Sequence, residues 1–280
     1  RLQRRRPLSR ENEAFMPAEM IRRVLESATQ DVVLVGGQAL AYWMGVLDIR
    51  QPDEIGPAIS RDVDFFTSNA ADTTPLRKFA RAIGGHSHVE RMESLSALIG
   101  SATAPAEDER IYNVDLIHKV VGIERTEIEK HAIEVQLPNG NGTIRVMHPI
   151  HVLHSRNMNL HRLVEKQDEM GVLQYQLAIA AARAYLELRI DGIEARTDIS
   201  DSDRERSILG AIRRVTEYSS EDAARKNAER YGVHLADAIP AWRIASPAFW
   251  RKQWPHLRGR MSQEHARRCE KWREGIEQND

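Results

Sequence analysis

The chain has one cysteine, Cys269, in 280 residues. An intrachain disulfide is therefore impossible, and a cysteine-ligated zinc or iron–sulfur centre is excluded. A lone thiol suits a reducing compartment, so a cytoplasmic location is expected. No uninterrupted apolar run approaches the ~20 residues that a membrane span needs, and no membrane partner is expected. Excess charge of either sign is lacking too: 40 Lys and Arg stand against 41 Asp and Glu, a formal net charge of −1. That balance excludes a molecule-wide basic field for wrapping nucleic acid and leaves only local basic surfaces for the task. No internal repeat or low-complexity tract occurs. No Gly-x-Ser-x-Gly elbow, Walker loop or dinucleotide-binding glycine fingerprint is found. The opening, RLQRRRPLSR, has neither an initiator methionine nor an apolar segment behind it. A trimmed or processed start is the expectation there, not a secretory signal.

What is there suits a folded chain: 41% hydrophobic and 29% charged residues, a mix that excludes wholesale disorder. Helical spacing of apolar residues marks 16–27. The run Asp31-Val-Val-Leu-Val-Gly-Gly reads as a buried strand ending in a tight turn, with a helix over 38–46 leaving that turn. A loop rich in Pro, Gly and Asp (48–60) leads to a strand, Arg61-Asp-Val-Asp-Phe-Phe-Thr. A helix is expected over 75–83, a strand pair around 88–92 and 95–99, and a further strand over 111–118. The segments 132–137 and 143–147 flank Pro138-Asn-Gly-Asn-Gly, a hairpin signal. Beyond His148-Pro149 the pattern is helical. One nearly continuous helix is expected over 152–190, ending at Asp191-Gly192, with further helices over 200–218 and 219–231. The fold class is therefore α/β (α+β): a mixed-sheet core over 14–148, followed by a mostly α-helical domain over 149–280.

Three carboxylates carry the chemistry. Asp62 and Asp64 are two apart on one strand, so their side chains leave the same face. Asp115 sits among Val114, Leu116 and Ile117 on another strand, where an isolated charge is costly to bury. Three such groups brought together repel one another, and a divalent cation with a taste for hard oxygen ligands resolves the repulsion. Two Mg²⁺ ions, or Mn²⁺ in their place, would serve the attacking and leaving oxygens of a phosphoryl displacement. Gly36-Gly37, between a strand and a helix, leaves backbone N–H groups bare at a positive helix terminus, a geometry that holds phosphate. Alone, the glycine pair reads as an ordinary turn, and Asp-x-Asp alone as a solvated edge strand. Their order along the chain favours function.

These residues together carry a resemblance. Gly36-Gly37-Gln38-Ala39-Leu40, then Ser60-Arg61-Asp62-Val63-Asp64-Phe65, then Asn113-Val114-Asp115-Leu116, resembles the nucleotidyltransferases of the DNA polymerase β superfamily. Within it, the AbiEii-like and MenT-like toxin nucleotidyltransferases are nearest in form. The motif support spans roughly residues 31 to 118. The resemblance implies that Gly36 and Gly37 hold the triphosphate, that Asp62 and Asp64 bind both metal ions, and that Asp115 binds the ion that activates the attacking hydroxyl. It implies transfer of a nucleoside monophosphate from an NTP, such as ATP, to a hydroxyl of RNA (a tRNA 3′ end, for example) or of protein. It also implies a toxin–antitoxin or phage-defence setting with a cognate antitoxin. Two departures stand out. Gly37 and Asp62 are 25 residues apart, longer than in minimal members, and Gly37 is followed by Gln38 where a serine hydroxyl would help hold the triphosphate. Backbone N–H groups, helped by Gln38, are the candidates to make up for it, and Arg61 is a further candidate nucleotide contact.

In the helical half, Arg156, Asn159, Arg162 and Lys166 follow spacings of 3, 3 and 4, one stripe of a continuous helix. Arg156 and Lys166 are candidate nucleotide contacts; a solvated helix face is the other reading of the stripe. By resemblance, Lys166-Gln-Asp168 corresponds to a lysine and aspartate that AbiEii-like proteins carry after the core. His148, His151 and His154, with His118, invite a zinc reading, but they match no zinc motif and have no carboxylate in the set. Helix-capping or nucleotide-contacting histidines fit better. The tail from Arg251 has eight Lys/Arg against five Asp/Glu, and Trp242, Trp250, Trp254 and Trp272 lie in or near it. Core packing with a charged face is the expectation there, a base-stacking platform the alternative. Cys269 has no evident catalytic partner. Two other functions stay open: nucleotidylation of a small molecule of the aminoglycoside type, and a catalytically silent nucleotide-binding or interaction module.

Overall fold

A computed structural model describes residues 12–50, 60–90, 96–107, 109–137, 140 and 142–277. The fold is mixed α/β. It divides into two compact units, Arg1–Tyr42 with Ile55–Val152, and Trp43–Glu54 with Leu153–Asp280. The stretch Trp43–Glu54 thus belongs with the helical half of the chain.

In chain order the first unit contains α1 (Ala18–Ser27), β1 (Val33–Val35), the start of α2 (Gly36–Val46), β2 (Val63–Phe66), α3 (Thr74–Ile83), β3 (His86–Val89), β4 (Leu98–Pro105), β5 (Ile111–Ile117), α4 (Arg125–His131), β6 (Ile133–Gln136), β7 (Thr143–Val146) and the start of α5 (Pro149–Arg162). Among the described residues, seven strands form one sheet, ordered β3-β4-β5-β2-β1-β7-β6. β2 pairs with β5 and β1 with β7 in parallel; the other neighbours are antiparallel. The central strand β1 is short, wholly apolar and buried throughout, as a strand covered on both faces must be.

Residue alternation on β2 sorts its side chains. Phe65 stacks on Phe79 of α3 with ring centroids 4.5 Å apart, and both rings are fully buried. Burying each ring contributes roughly 2–3 kcal/mol. α1 and α3 pack together against this side of the sheet. Asp62 and Asp64, out of phase with Phe65, must therefore leave the opposite face. The strand pair expected around 88–99 is present as β3 and β4, shifted in its limits; residues 91–95 lie outside the described set. The hairpin of β6 and β7 is closed by Leu137 N–H to Gly142 O at 2.9 Å and Gly140 N–H to Leu137 O at 2.8 Å. α4 was not expected from the sequence: RTEIEKH has one buried apolar residue, Ile128, too few to show a helical period.

The second unit is built from the remainder of α5, α6 (Glu169–Glu194), α7 (Asp201–Ser219), α8 (Asp222–Tyr231), α9 (Pro247–Lys252), α10 (Trp254–Arg258) and α11 (Gln263–Glu277). The single helix expected over 152–190 is in fact two. α5 ends at Arg162, a 3-10 turn covers Val164–Lys166, and α6 starts after Asp168. Apolar periodicity runs through the break, but capping chemistry overrides it: the Asp168 carboxylate accepts the Gly171 N–H at 2.7 Å. α6 then passes Asp191-Gly192 and ends at Glu194. Ser200 and Ser246 cap α7 and α9 in the same way. Trp242, Trp250 and Trp254 are core residues, at 6%, 5% and 6% exposure, and Trp250 Nε1 donates to the Ile244 carbonyl at 2.8 Å. Trp272 is half-exposed, and Cys269 is fully buried. Among the described residues, no helix is long and apolar enough to cross a membrane.

Candidate active site

The sheet register brings the three aspartates together. Asp64 on β2 lies beside Asp115 on the parallel strand β5, and Asp62 precedes Asp64 by two residues on the same face. One ligand oxygen from each carboxylate lies within 4.8 Å of the other two. Among the described residues, this is the group of three or more metal-ligating side chains close enough to share one ion. The donor set is all hard oxygen, which suits Mg²⁺ or Mn²⁺ more than softer metals.

Neighbouring side chains hold the aspartates in place. Ser60 Oγ donates a short hydrogen bond to Asp62 Oδ1. Ser101 on β4, directly opposite Asp115 in the register, donates to Asp115 Oδ1 at 2.6 Å. Asn113, two residues before Asp115 and so on the same face, donates to the same oxygen at 3.1 Å. The Asp115 carboxyl is pushed up to about 6. Burial is the main cause, the negative charge of Asp62 adds to it, and the Ser101 and Asn113 hydrogen bonds oppose it.

The glycine pair meets the same cluster. Gly36 is the first residue of α2 and has φ +66°; a β-carbon there would lie 2.0 Å from Asp64 Oδ2. A β-carbon on Gly37 would lie 2.3 Å from the Ser60 β-carbon and 3.0 Å from its hydroxyl oxygen. Glycine at both positions lets the start of α2 press against Asp64 of β2 and against Ser60. Gln38 is buried, and its side-chain amide donates to the Ser60 carbonyl at 3.1 Å. The N–H groups of a helix's first turn have no intrahelical acceptor, so this end of α2 faces the carboxylates with donors to spare.

The remaining candidates are placed differently. Arg61 donates to the Glu13 carbonyl at 3.4 Å, with its guanidinium 5.2 Å from the Phe15 ring centroid. Arg156 belongs to the second unit. It is 6% exposed and donates to Gln174 Oε1 at 3.1 Å, so it does not lie on a solvated face. Lys166 sits in the 3-10 turn, past the end of α5 at Arg162, so the expected continuous stripe is broken between Arg162 and Lys166. His148 Nδ1 accepts the Ile150 N–H at 3.2 Å, a capping contact at the start of α5. The His151 ring lies 5.8 Å from those of both His131 and His148, while His154 stacks on Tyr218 in the second unit.

Sequence reasoning did not single out Ser60, Ser101, Asn113 or Glu13. Asn113 was legible in principle, since the alternation that places Asp115 places it on the same face. Ser101 was not, because only the pairing of β4 with β5 sets it opposite Asp115.

Comparison with known proteins gives a structural neighbour. The chain is similar to the solved structure of the Megavirus polyadenylate synthase, with 12% identity and a TM-score of 0.38. The match covers 78% of this chain and 49% of that chain, so this chain spans about half the length of that neighbour. No protein-family model matches, and no curated protein matches.

Proposed function

We propose that the first unit is a metal-dependent nucleotidyltransferase that moves a nucleoside monophosphate from an NTP to an acceptor hydroxyl. One observation carries the reading: three carboxylates from adjacent strands converge within 4.8 Å, directly beside a helix start that only glycine can form. Asp62, Asp64 and Asp115 would hold the divalent ions. Bound there, such ions supply neutralisation of the triphosphate and stabilise the oxygens that attack and leave phosphorus. The chain's own residues would do the rest. The first amides of α2, at Gly36 and Gly37, would donate to triphosphate oxygens. Gln38, through the Ser60 carbonyl, would fix that helix start against Ser60, two residues before Asp62. The backbone hydrogen bonds of β2 and β5 hold the carboxylates in register, so little reorganisation is needed when substrate arrives. Arg61 enters as a candidate contact to the nucleotide. An RNA or protein hydroxyl as acceptor, and a toxin role with a cognate antitoxin, follow from the motif resemblance.

The test incubates the purified protein with each α-³²P-labelled NTP, Mg²⁺ and total cellular RNA, beside an Asp62→Ala/Asp64→Ala double variant. Label entering RNA or protein with the unmodified chain alone supports the reading and names base and acceptor class together. No transfer from any NTP, with nucleotide and metal still binding, overturns an RNA or protein acceptor in favour of a small-molecule acceptor or a silent nucleotide-binding module.

A further inference from the structure

Asp115 is held through one of its two oxygens. Both Ser101 Oγ, at 2.6 Å, and Asn113 Nδ2, at 3.1 Å, donate to Oδ1. The Asn113 nitrogen also donates to Glu13 Oε1 at 3.3 Å. Its amide orientation is settled by chemistry: turned over, it would aim a carbonyl oxygen at two carboxylates. Asn113 and Glu13 are buried, at 4% and 7% exposure, and a bridge from Glu13 to Ile111 fixes Glu13 beside β5. A buried carboxylate outside the triad thus orients the amide that orients Asp115.

We propose that Ser101 and Asn113, the latter set by Glu13, are positioning residues that occupy Asp115 Oδ1 and leave Oδ2 as its single coordinating oxygen. The proposal rests on the reading of Asp62, Asp64 and Asp115 as a metal centre. A freely rotating carboxylate can chelate an ion through both oxygens or turn away from it. Two donors on one oxygen fix the side-chain torsion and take that oxygen out of coordination. A carboxylate tied in this way binds as a one-oxygen ligand in a fixed place, and no ordering cost falls on the moment of binding.

The test measures Mn²⁺ binding to the whole chain by the electron paramagnetic resonance of the free ion, at fixed pH and without nucleotide. Ser101→Ala and Asn113→Ala should each weaken binding about tenfold, the low end of what outer ligand supports contribute. In an Asp115→Asn background neither should weaken it further, a coupling that a merely structural role would not show. Ser101→Thr and Ser101→Val form an isosteric pair that keeps and removes the hydroxyl; Thr should bind like the original and Val about tenfold more weakly. This pair decides the matter if Asn113→Ala does not fold. Binding that is lost in Asp62→Ala but equal in the Thr and Val variants overturns the positioning role alone. No Mn²⁺ binding by the unmodified chain, or binding indifferent to Asp62→Ala, overturns the metal-centre reading itself.

Discussion

Gly36 and Asp64 are in such close contact that a β-carbon on the glycine would lie 2.0 Å from the carboxylate oxygen Oδ2. The left-handed φ of +66° adds a second reason for glycine at that place. Gly36→Ala therefore has to move Asp64 and also strain the backbone, at a cost of roughly 1–2 kcal/mol for the backbone alone. The expected outcome is a lower urea midpoint and Mn²⁺ binding weakened about as much as by loss of an aspartate. Unchanged Mn²⁺ affinity in a destabilised Gly36→Ala would show that the glycine serves the fold only.

Removing charge from the triad should separate activity from stability. Asp64→Asn keeps the shape of the side chain and takes away one of three clustered negative charges. Transfer should fall on the order of a hundredfold or more, while the melting temperature without metal holds or rises because repulsion is relieved. A calorimetric scan beside the labelled-NTP assay reads both. Activity retained in this variant would remove Asp64 from the metal centre.

Stability should depend on pH through Asp115. Its carboxyl, at about 6, lies above the ordinary value of 3.8, chiefly because of burial. Between those values the native chain binds a proton that the unfolded chain has released. The group thus favours the folded state below about pH 4, and that advantage disappears as pH rises through 6. For a half-buried carboxyl the change is about 2 kcal/mol. Urea melts in EDTA from pH 4 to 7 should show this slope in the original chain and lose it in Asp115→Asn. Mg²⁺ should stabilise the protein more at pH 7 than at pH 4, because the ligand must be ionised. Equal slopes with and without Asp115 would mean that the carboxyl titrates normally.

The break between α5 and α6 rests on Asp168 and Gly171. Asp168→Ala removes a cap and should cost about 1 kcal/mol. A β-carbon on Gly171 would lie 1.8 Å from the Lys166 carbonyl oxygen, so Gly171→Ala should cost more, roughly 1–3 kcal/mol. The order of the two urea midpoints checks this. A Gly171→Ala chain as stable as the original would show that the 3-10 turn yields freely.

Cys269 should be inert in the native chain. Its thiol is fully buried and pushed up to about 11, mainly by that burial. At pH 8 its reaction with a disulfide reagent should be slower by about a hundredfold or more than in urea, since both thiolate fraction and access fall. Equal rates in the two conditions would place the residue at an accessible site.

By itself the sequence determined the chemistry of the candidate site and most of the elements that bear it. Alternation puts Asp62 and Asp64 on one face, the valine-rich run makes β1, and Gly36-Gly37 marks the start of α2, because these signals depend on neighbours two to four residues apart. Local signals failed where a nearby contact outweighed the period. The apolar pattern over 152–190 is continuous, yet the Asp168 cap divides it, and Lys166 leaves the stripe that Arg156 and Arg162 were expected to share with it. Only the tertiary structure decided how the three aspartates meet and what holds them. The parallel pairing of β2 with β5 sets Asp64 beside Asp115, and the pairing of β4 with β5 brings Ser101 across from a residue 14 positions away. Glu13 reaches Asn113 over 100 residues of chain. Strand register is fixed by the burial of whole faces and not by any short motif, so contacts across strands cannot be read from the residues that make them.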